Sequence, residues 1–227
     1  TNVRGWFGAK KDWHSSQASA GAEWIDVDTT TLTGAGQIDG AIGRHVLWLA
    51  GTQIDGEVPG KSAGAGKADS ALGVGPMGAL TVQPIEALDL TASVAQRTRF
   101  PTLKERFSSA FGAMEPNPGL GAERSTNLSF DATVRPIRNL RVDLGVFDSE
   151  VRDLVIKVPL NAQLSQWQNG GRARFYGLEA AVRSRPTKWI EVWGGWAAMK
   201  MRRVDQDPPN DVIAYRPDQK ATLALTI

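Results

Sequence analysis

The 227-residue chain has no cysteine, which removes disulfides, thiolate metal ligands and thiol catalysis from consideration. It has no apolar run near the roughly 18 residues a membrane helix needs, Val46 to Ala50 being typical of the longest, so a helical membrane protein is excluded. It has no excess of charge, with 26 basic against 24 acidic side chains, and so offers no surface for nucleic acid. Histidine is scarce: His14 and His45 stand far apart with no serine–acid constellation around them, and nothing argues for catalysis. Gly60-Lys61-Ser62 and Gly66-Lys67 miss the phosphate loop, because Asp55 and Lys61 occupy the positions of its leading glycine. Tyrosine is limited to two residues, whereas tryptophan numbers eight, a usage that suits an interfacial girdle and a large soluble core alike. The hydrophobic content of 41% does not discriminate either, because in an outer-membrane barrel only every second strand residue meets lipid. No signal peptide precedes Thr1, and the chain stops at Leu223 to Ile227 in what reads as mid-strand, so a piece of something longer is expected.

What the chain does have is a hairpin period. Short proline turns recur at Gln83-Pro84-Ile85-Glu86, Arg135-Pro136-Ile137-Arg138 and Arg185-Pro186-Thr187-Lys188. Each introduces an alternating strand in the same register: Leu88, Leu90, Ala92 and Val94; Leu140, Val142, Leu144 and Val146; Ile190, Val192, Gly194 and Trp196. Between them stand polar or small residues, with Trp193 the exception. The strands entering the turns alternate likewise, with Leu128, Phe130, Ala132 and Val134 in one and Tyr176, Leu178, Ala180 and Val182 in another. Period two with one apolar and one polar face is the half-buried strand pattern. Long connections at Thr102 to Glu123, Pro159 to Gly171 and Arg202 to Arg216 complete a topology of short turns on one rim and long loops on the other. Alternation by itself also fits a soluble antiparallel meander. In the first 80 residues, Val3 to Trp13, Gly21 to Val27 and Gly43 to Thr52 read as strands, with Asp28 to Gly40 and Gln53 to Asp69 as Gly-, Thr- and Ser-rich loops. The total expected is about eleven strands.

Five motifs occur in order along residues 80 to 227. They are Arg99-Phe100-Pro101-Thr102-Leu103-Lys104-Glu105-Arg106-Phe107, Asn117-Pro118-Gly119-Leu120-Gly121-Ala122-Glu123-Arg124-Ser125, Phe147-Asp148-Ser149-Glu150-Val151-Arg152-Asp153-Leu154-Val155, Asn169-Gly170-Gly171-Arg172-Ala173-Arg174-Phe175-Tyr176-Gly177-Leu178-Glu179 and Pro217-Asp218-Gln219-Lys220-Ala221. Together they resemble the β-barrel of TonB-dependent outer-membrane receptors. The resemblance implies an all-β fold: an antiparallel meander forming about half of a transmembrane barrel of the 22-stranded class. Residues 1–227 would be a partial barrel in the outer membrane of a Gram-negative cell, in contact with its lipid, with the plug domain, TonB box and final strands outside these residues. It further implies that the whole protein binds a scarce small molecule, such as a ferric siderophore or cobalamin, at its outer loops. Import would be driven by the energy-coupling TonB protein pulling on a plug. Transport by these residues alone is not expected, and an open sheet with unpaired edges predicts aggregation on isolated expression. No cofactor is implied, and nucleic acid is not among the implied partners. The Asn169 to Ala180 segment resembles cobalamin and catecholate-siderophore receptors slightly more than others of the family. A passive porin-like channel and a soluble β-sandwich binding module are the competing classes.

Within that frame Asp89, Asp131, Arg141, Asp143, Glu179, Arg183 and Glu191 are expected on the lumen face, where mixed charges hydrate the wall or hold a polar plug. Phe111, Met114, Trp167 and Gln168 are the candidate ligand contacts, because aromatic and polar loop residues capture amphipathic ligands. Pro101 is expected to end its strand, Phe100 to anchor at the interface, and Lys104, Glu105 and Arg106 to be solvated. Asp205, Asp207, Asn210 and Asp211 could ligate calcium, but their loop lacks the glycine and terminal glutamate of an EF-hand, which favours a solvated acidic loop.

Overall fold

Alternation decides most of the structure. A computed structural model describes residues 1–17, 21–62, 66, 68–109, 112–204 and 218–227. Its elements are β1 (Asn2–Ser16), β2 (Ile25–Ile42), β3 (Val46–Ser62), β4 (Ala71–Ile85), β5 (Leu88–Arg99), α1 (Leu103–Phe107), β6 (Met114–Glu115), β7 (Glu123–Ile137), β8 (Leu140–Arg152), β9 (Val155–Pro159), β10 (Ser165–Asn169), β11 (Arg172–Thr187), β12 (Ile190–Arg203) and β13 (Gln219–Thr226). Ten of them form one antiparallel meander in the order β1-β2-β3-β4-β5-β7-β8-β11-β12-β13, while β6, β10 and β9 make a small sheet inside the long loops. Among the described residues β1 and β13 are the open edges of the large sheet, which does not close.

The register gives the sheet two chemically distinct faces. One cross-strand row runs Trp48, Leu80, Ala92, Phe130, Val146, Leu178 and Ala198; the adjacent row on the other face runs Thr81, Thr91, Asp131, Gly145, Glu179, Ala197 and Lys220. The polar face is cross-linked by side chains: Thr81 and Thr91 at 2.9 Å, Ser93 and Ser129 at 2.9 Å, and Thr133 donating to Asp143 at 2.6 Å. The apolar face is bare. Phe7 (92% exposed) and Leu72 (67%) stand on it, and no large side chain among the described residues is fully buried. A sandwich would cover such a face with a second sheet; an apolar band of this extent instead calls for a non-aqueous neighbour.

The prolines sit in repeated β-bulges. The ladder slips between Val82 and Ile85, between Val134 and Ile137 and between Ser184 and Thr187, each time across a proline that has no amide to offer. The amide before each proline donates to the turn of the preceding hairpin: Gln83 to His45, Arg135 to Ala87 and Arg185 to Asn139, at 2.7–2.9 Å. The short-turn rim is therefore a chain of identical links.

Two expectations are corrected. Among the described residues the barrel sheet has ten strands, against about eleven expected, and the long connections read as plain loops carry a further three-stranded sheet. Asp28 to Gly40 is strand interior rather than loop, and β3 continues through Gln53 to Ser62. The Thr and Gly content of β2 is itself an alternation: Thr29, Thr31 and Thr33 pair with Pro59, Glu57 and Asp55 on the polar side, and Leu32, Gly34, Gly36 and Ile38 lie on the other. Gly51 permits a close approach here, since a Cβ on it would fall 2.7 Å from the Gly36 carbonyl oxygen.

Candidate ligand-binding site under the folded loop

The connection after β5 folds back across the polar face of β1 to β3. Its start is fixed locally by a capping box. The Glu105 amide donates to Thr102 Oγ1 at 3.2 Å, and Glu105 Oε2 accepts from the Thr102 amide at 2.7 Å. Arg99, at the end of β5, then reaches Glu105 at 3.0 Å and Glu123 at 2.6 Å, while the other Glu123 oxygen accepts the Val155 amide at 2.6 Å. One arginine thus ties the last residue of β5 to α1, β7 and β9. Burial works against the charge of Glu105, but the Arg99 guanidinium and the Thr102 donors outweigh it and hold its pKa below the usual glutamate value.

Beyond the cap, Leu103 and Phe107 pack with Val27 and Ala68 into an apolar cluster under the loop. Between them Arg106, 3% exposed, meets Glu57 of β3, 2% exposed, at 2.8 Å. Arg106 Nε also donates to the Leu120 carbonyl at 3.2 Å, and Ser16 Oγ donates to the Phe107 carbonyl at 3.2 Å. The expectation that Arg106 is solvated is therefore wrong: loop folding removes it from water and gives it a carboxylate partner. Glu57 had no signal of its own, because its segment read as loop. Pro101 is buried at the point where β5 ends.

Roofed by this loop is a cavity of about 530 Å³. Lys10, Asp12, Thr31, Asp55 and Thr98 line it from the strands, and Lys104 from the loop. The wall sets charged and polar groups of both signs beside apolar surface from Phe100, Pro101 and Leu103, which suits an amphipathic ligand carrying oxygen donors. The rest of the loop region is clasped by asparagines and a glutamine. Asn117 Nδ2 donates to the Trp167 carbonyl at 2.8 Å, and Gln166 Nε2 to the Pro116 carbonyl at 3.2 Å. Asn169 Oδ1 accepts the Gly121 amide at 2.7 Å, and its Nδ2 donates to the Gly121 and Asp153 carbonyls at 3.0 and 2.8 Å. Asp153 adopts the left-handed conformation at φ 57°, which turns the chain out of β8 into β9.

A family profile described as "TonB dependent receptor-like, beta-barrel" matches residues 9–226. The chain belongs to this family. Similar solved structures include the FrpB iron transporter of Neisseria meningitidis (17% identity, TM-score 0.67, 88% of this chain and 31% of that one). They also include the copper transporter OprC (14%, 0.71, 89% and 33%) and the ferripyoverdine receptor of Pseudomonas aeruginosa (14%, 0.68, 90% and 26%). The chain thus spans about a third or less of the length of these structures, and at such identities the likeness is one of fold. No curated protein matches.

In this TonB-dependent barrel segment the arginine–carboxylate set named from the sequence lies on one face. Asp131, Glu179, Asp143, Arg183 and Arg141 fall on rows linked through Gly145, Ala181 and direct pairing, while Asp89 pairs with Thr133. Arg135 contacts Asp89 at 2.6 Å, Arg141 contacts Asp143 at 2.9 Å, and Glu191 receives Arg183 at 3.6 Å together with Arg185. A second cavity of about 520 Å³ lies over Asp131, Arg141, Asp143, Glu179 and Trp193. The loop candidates fare differently. Met114 is buried in β6, Trp167 and Gln168 are half-buried in β10, and Phe111 lies outside the described residues. Asp205, Asp207, Asn210 and Asp211 lie outside them as well, and no cluster of three or more His, Asp or Glu suited to a metal occurs among the described residues.

Proposed function

We propose that these residues form part of the wall of an outer-membrane, TonB-coupled receptor that takes up a metal chelate such as a ferric siderophore. Family membership supports the receptor class, and the names of similar structures, an iron transporter, a ferripyoverdine receptor and a copper transporter, favour a metal-bearing cargo over other scarce ligands. The observation that carries the reading is the cavity of mixed polarity beneath the folded loop, on the same face of the sheet as the charged wall of the later strands. Lysines 10 and 104 can meet the oxygen donors of a chelate, and Asp12 and Asp55 its hydroxyl or amine groups. The opposite, apolar face would meet lipid, and the charged face would line the lumen beside a plug supplied by the rest of the receptor. TonB would act through that remainder.

The test is equilibrium binding and uptake by the complete receptor, using hydroxamate and catecholate ferric siderophores, cobalamin and free copper. The reading expects saturable binding of a ferric chelate, weakened about tenfold by Lys10→Gln with Lys104→Gln, as the loss of charge-assisted contacts from two exposed lysines implies. It also expects uptake that stops without TonB. Binding of cobalamin or bare copper alone, or uptake indifferent to TonB, would contradict it.

A further inference from the structure

The apolar face changes character at the long-loop end of β7, β8, β11 and β12. On β8 the outward residues are Val142, Leu144 and Val146, then Asp148, Glu150 and Arg152. The apolar part spans on the order of 20 Å along a barrel axis, close to the lipid-facing band of such proteins. Directly above it the register aligns cations. Arg124 of β7 stands opposite Arg152, which stands opposite Arg172 of β11. One row nearer the apolar band, Glu150 lies opposite Arg174, and Arg174 opposite Arg202 of β12; in the next, Asp148 faces Tyr176, and Tyr176 faces Lys200. All six cations are exposed.

Like charges directly opposite on neighbouring strands repel, and two carboxylates offset only part of the charge of six cations. Glu150 is shared between Arg152 at 2.9 Å and Arg172 at 3.6 Å, and Asp148 is taken by Arg174 at 2.7 Å. Arg174 also lies over the Tyr176 ring, 5.9 Å from its centroid. A row of three arginines on the lipid side of a sheet, just above its apolar band, is costly unless anions sit against it. Arginine forks match phosphate oxygens in pairs.

We propose that this patch binds the phosphate groups of an anionic lipid headgroup in the leaflet next to the long loops. The occupant is a membrane lipid rather than a soluble anion, because the patch is continuous with the apolar face that would hold its acyl chains. This rests on the reading of the chain as a membrane barrel.

The complete receptor, purified in non-ionic detergent, is titrated with bisphosphorylated lipid A in mixed micelles, with the same glycolipid stripped of phosphate, and with inorganic phosphate. Binding of the bisphosphorylated lipid should exceed both controls and weaken as salt rises. Arg124→Gln, Arg152→Gln and Arg172→Gln should each lower affinity about fivefold. Glu150→Gln, which frees Arg152 and Arg172, should raise it, and this variant decides the matter if the arginine variants fold poorly. Unchanged affinity in both kinds of variant, equal binding of the stripped lipid, or equal binding of inorganic phosphate would overturn the proposal while the barrel stands. A receptor that stays monodisperse in water without detergent would instead remove the barrel reading.

Discussion

The two rims of this sheet are built by different means. At the short-turn rim three hairpins, β4–β5, β7–β8 and β11–β12, are each closed by a two-residue turn, a proline bulge and one amide donated to the neighbouring turn, and the same unit recurs along the edge. At the long-loop rim few contacts are local. Arg106 meets Glu57, Ser16 meets Phe107, and Asn169 meets Gly121, each across a large separation in sequence. The first rim needs only a repeated local signal. Beyond the local capping box, the second needs strands distant in sequence brought together before these polar partners meet, and a single substitution can remove such a contact without touching the sheet.

That contrast can be broken most sharply at the buried ion pair. Glu57→Ala leaves Arg106 charged and unpaired beneath the loop, a loss of about 3–5 kcal/mol for a pair of this kind. The expected result is an undocked loop, seen as protease cleavage between residues 100 and 122 while the β-sheet circular dichroism persists. Next in size is the sheet itself. A Cβ at Gly177 would fall 2.3 Å from the Ala198 carbonyl oxygen and within 3 Å of the Phe147 ring, so Gly177→Ala should cost about 1–3 kcal/mol and lower the thermal midpoint.

Glu105 offers a pH test of the loop rim. Its pKa is depressed in the folded chain, so its contribution is fully present above the ordinary glutamate value and is lost as pH falls through the lowered one. Loop protection from protease should decline on acidification below that range, and Glu105→Gln should weaken protection at neutral pH and flatten the decline. The smallest effect is expected at the other rim. Pro136→Ala restores an amide inside a bulge that uses none, and the change should stay below about 1 kcal/mol because the same link recurs on both sides.

The fold is legible in the sequence where it is repetitive and not where it is irregular. The strands after residue 80, their faces and the proline turns were readable because Leu128 to Val134 or Leu140 to Val146 alternate without interruption. Residues 28–40 read as loop because Gly34, Gly36 and Gly40 replace large side chains on the apolar face, so the period shows most clearly in Thr29, Thr31 and Thr33 on the other. The arginine–carboxylate set on the polar face was legible from parity alone. Glu57 and the burial of Arg106 were not, since nothing near either residue says that a loop some fifty positions away will cover it. The asparagine and glycine motifs were visible as motifs, but their work as loop clasps emerges only from Asn117 and Asn169 reaching partners in other segments.

The account rests on one face of the sheet meeting lipid and the other meeting water, and the absence of cysteine makes that directly measurable. Single cysteines at Phe130, Asp131, Asp143 and Val146 of the complete receptor in lipid vesicles would be probed with a charged, water-soluble thiol reagent. The account predicts rapid labelling at 131 and 143 and protection at 130 and 146, an alternation along two neighbouring strands. Equal labelling at all four positions, or protection on the polar face with labelling on the apolar one, would contradict it.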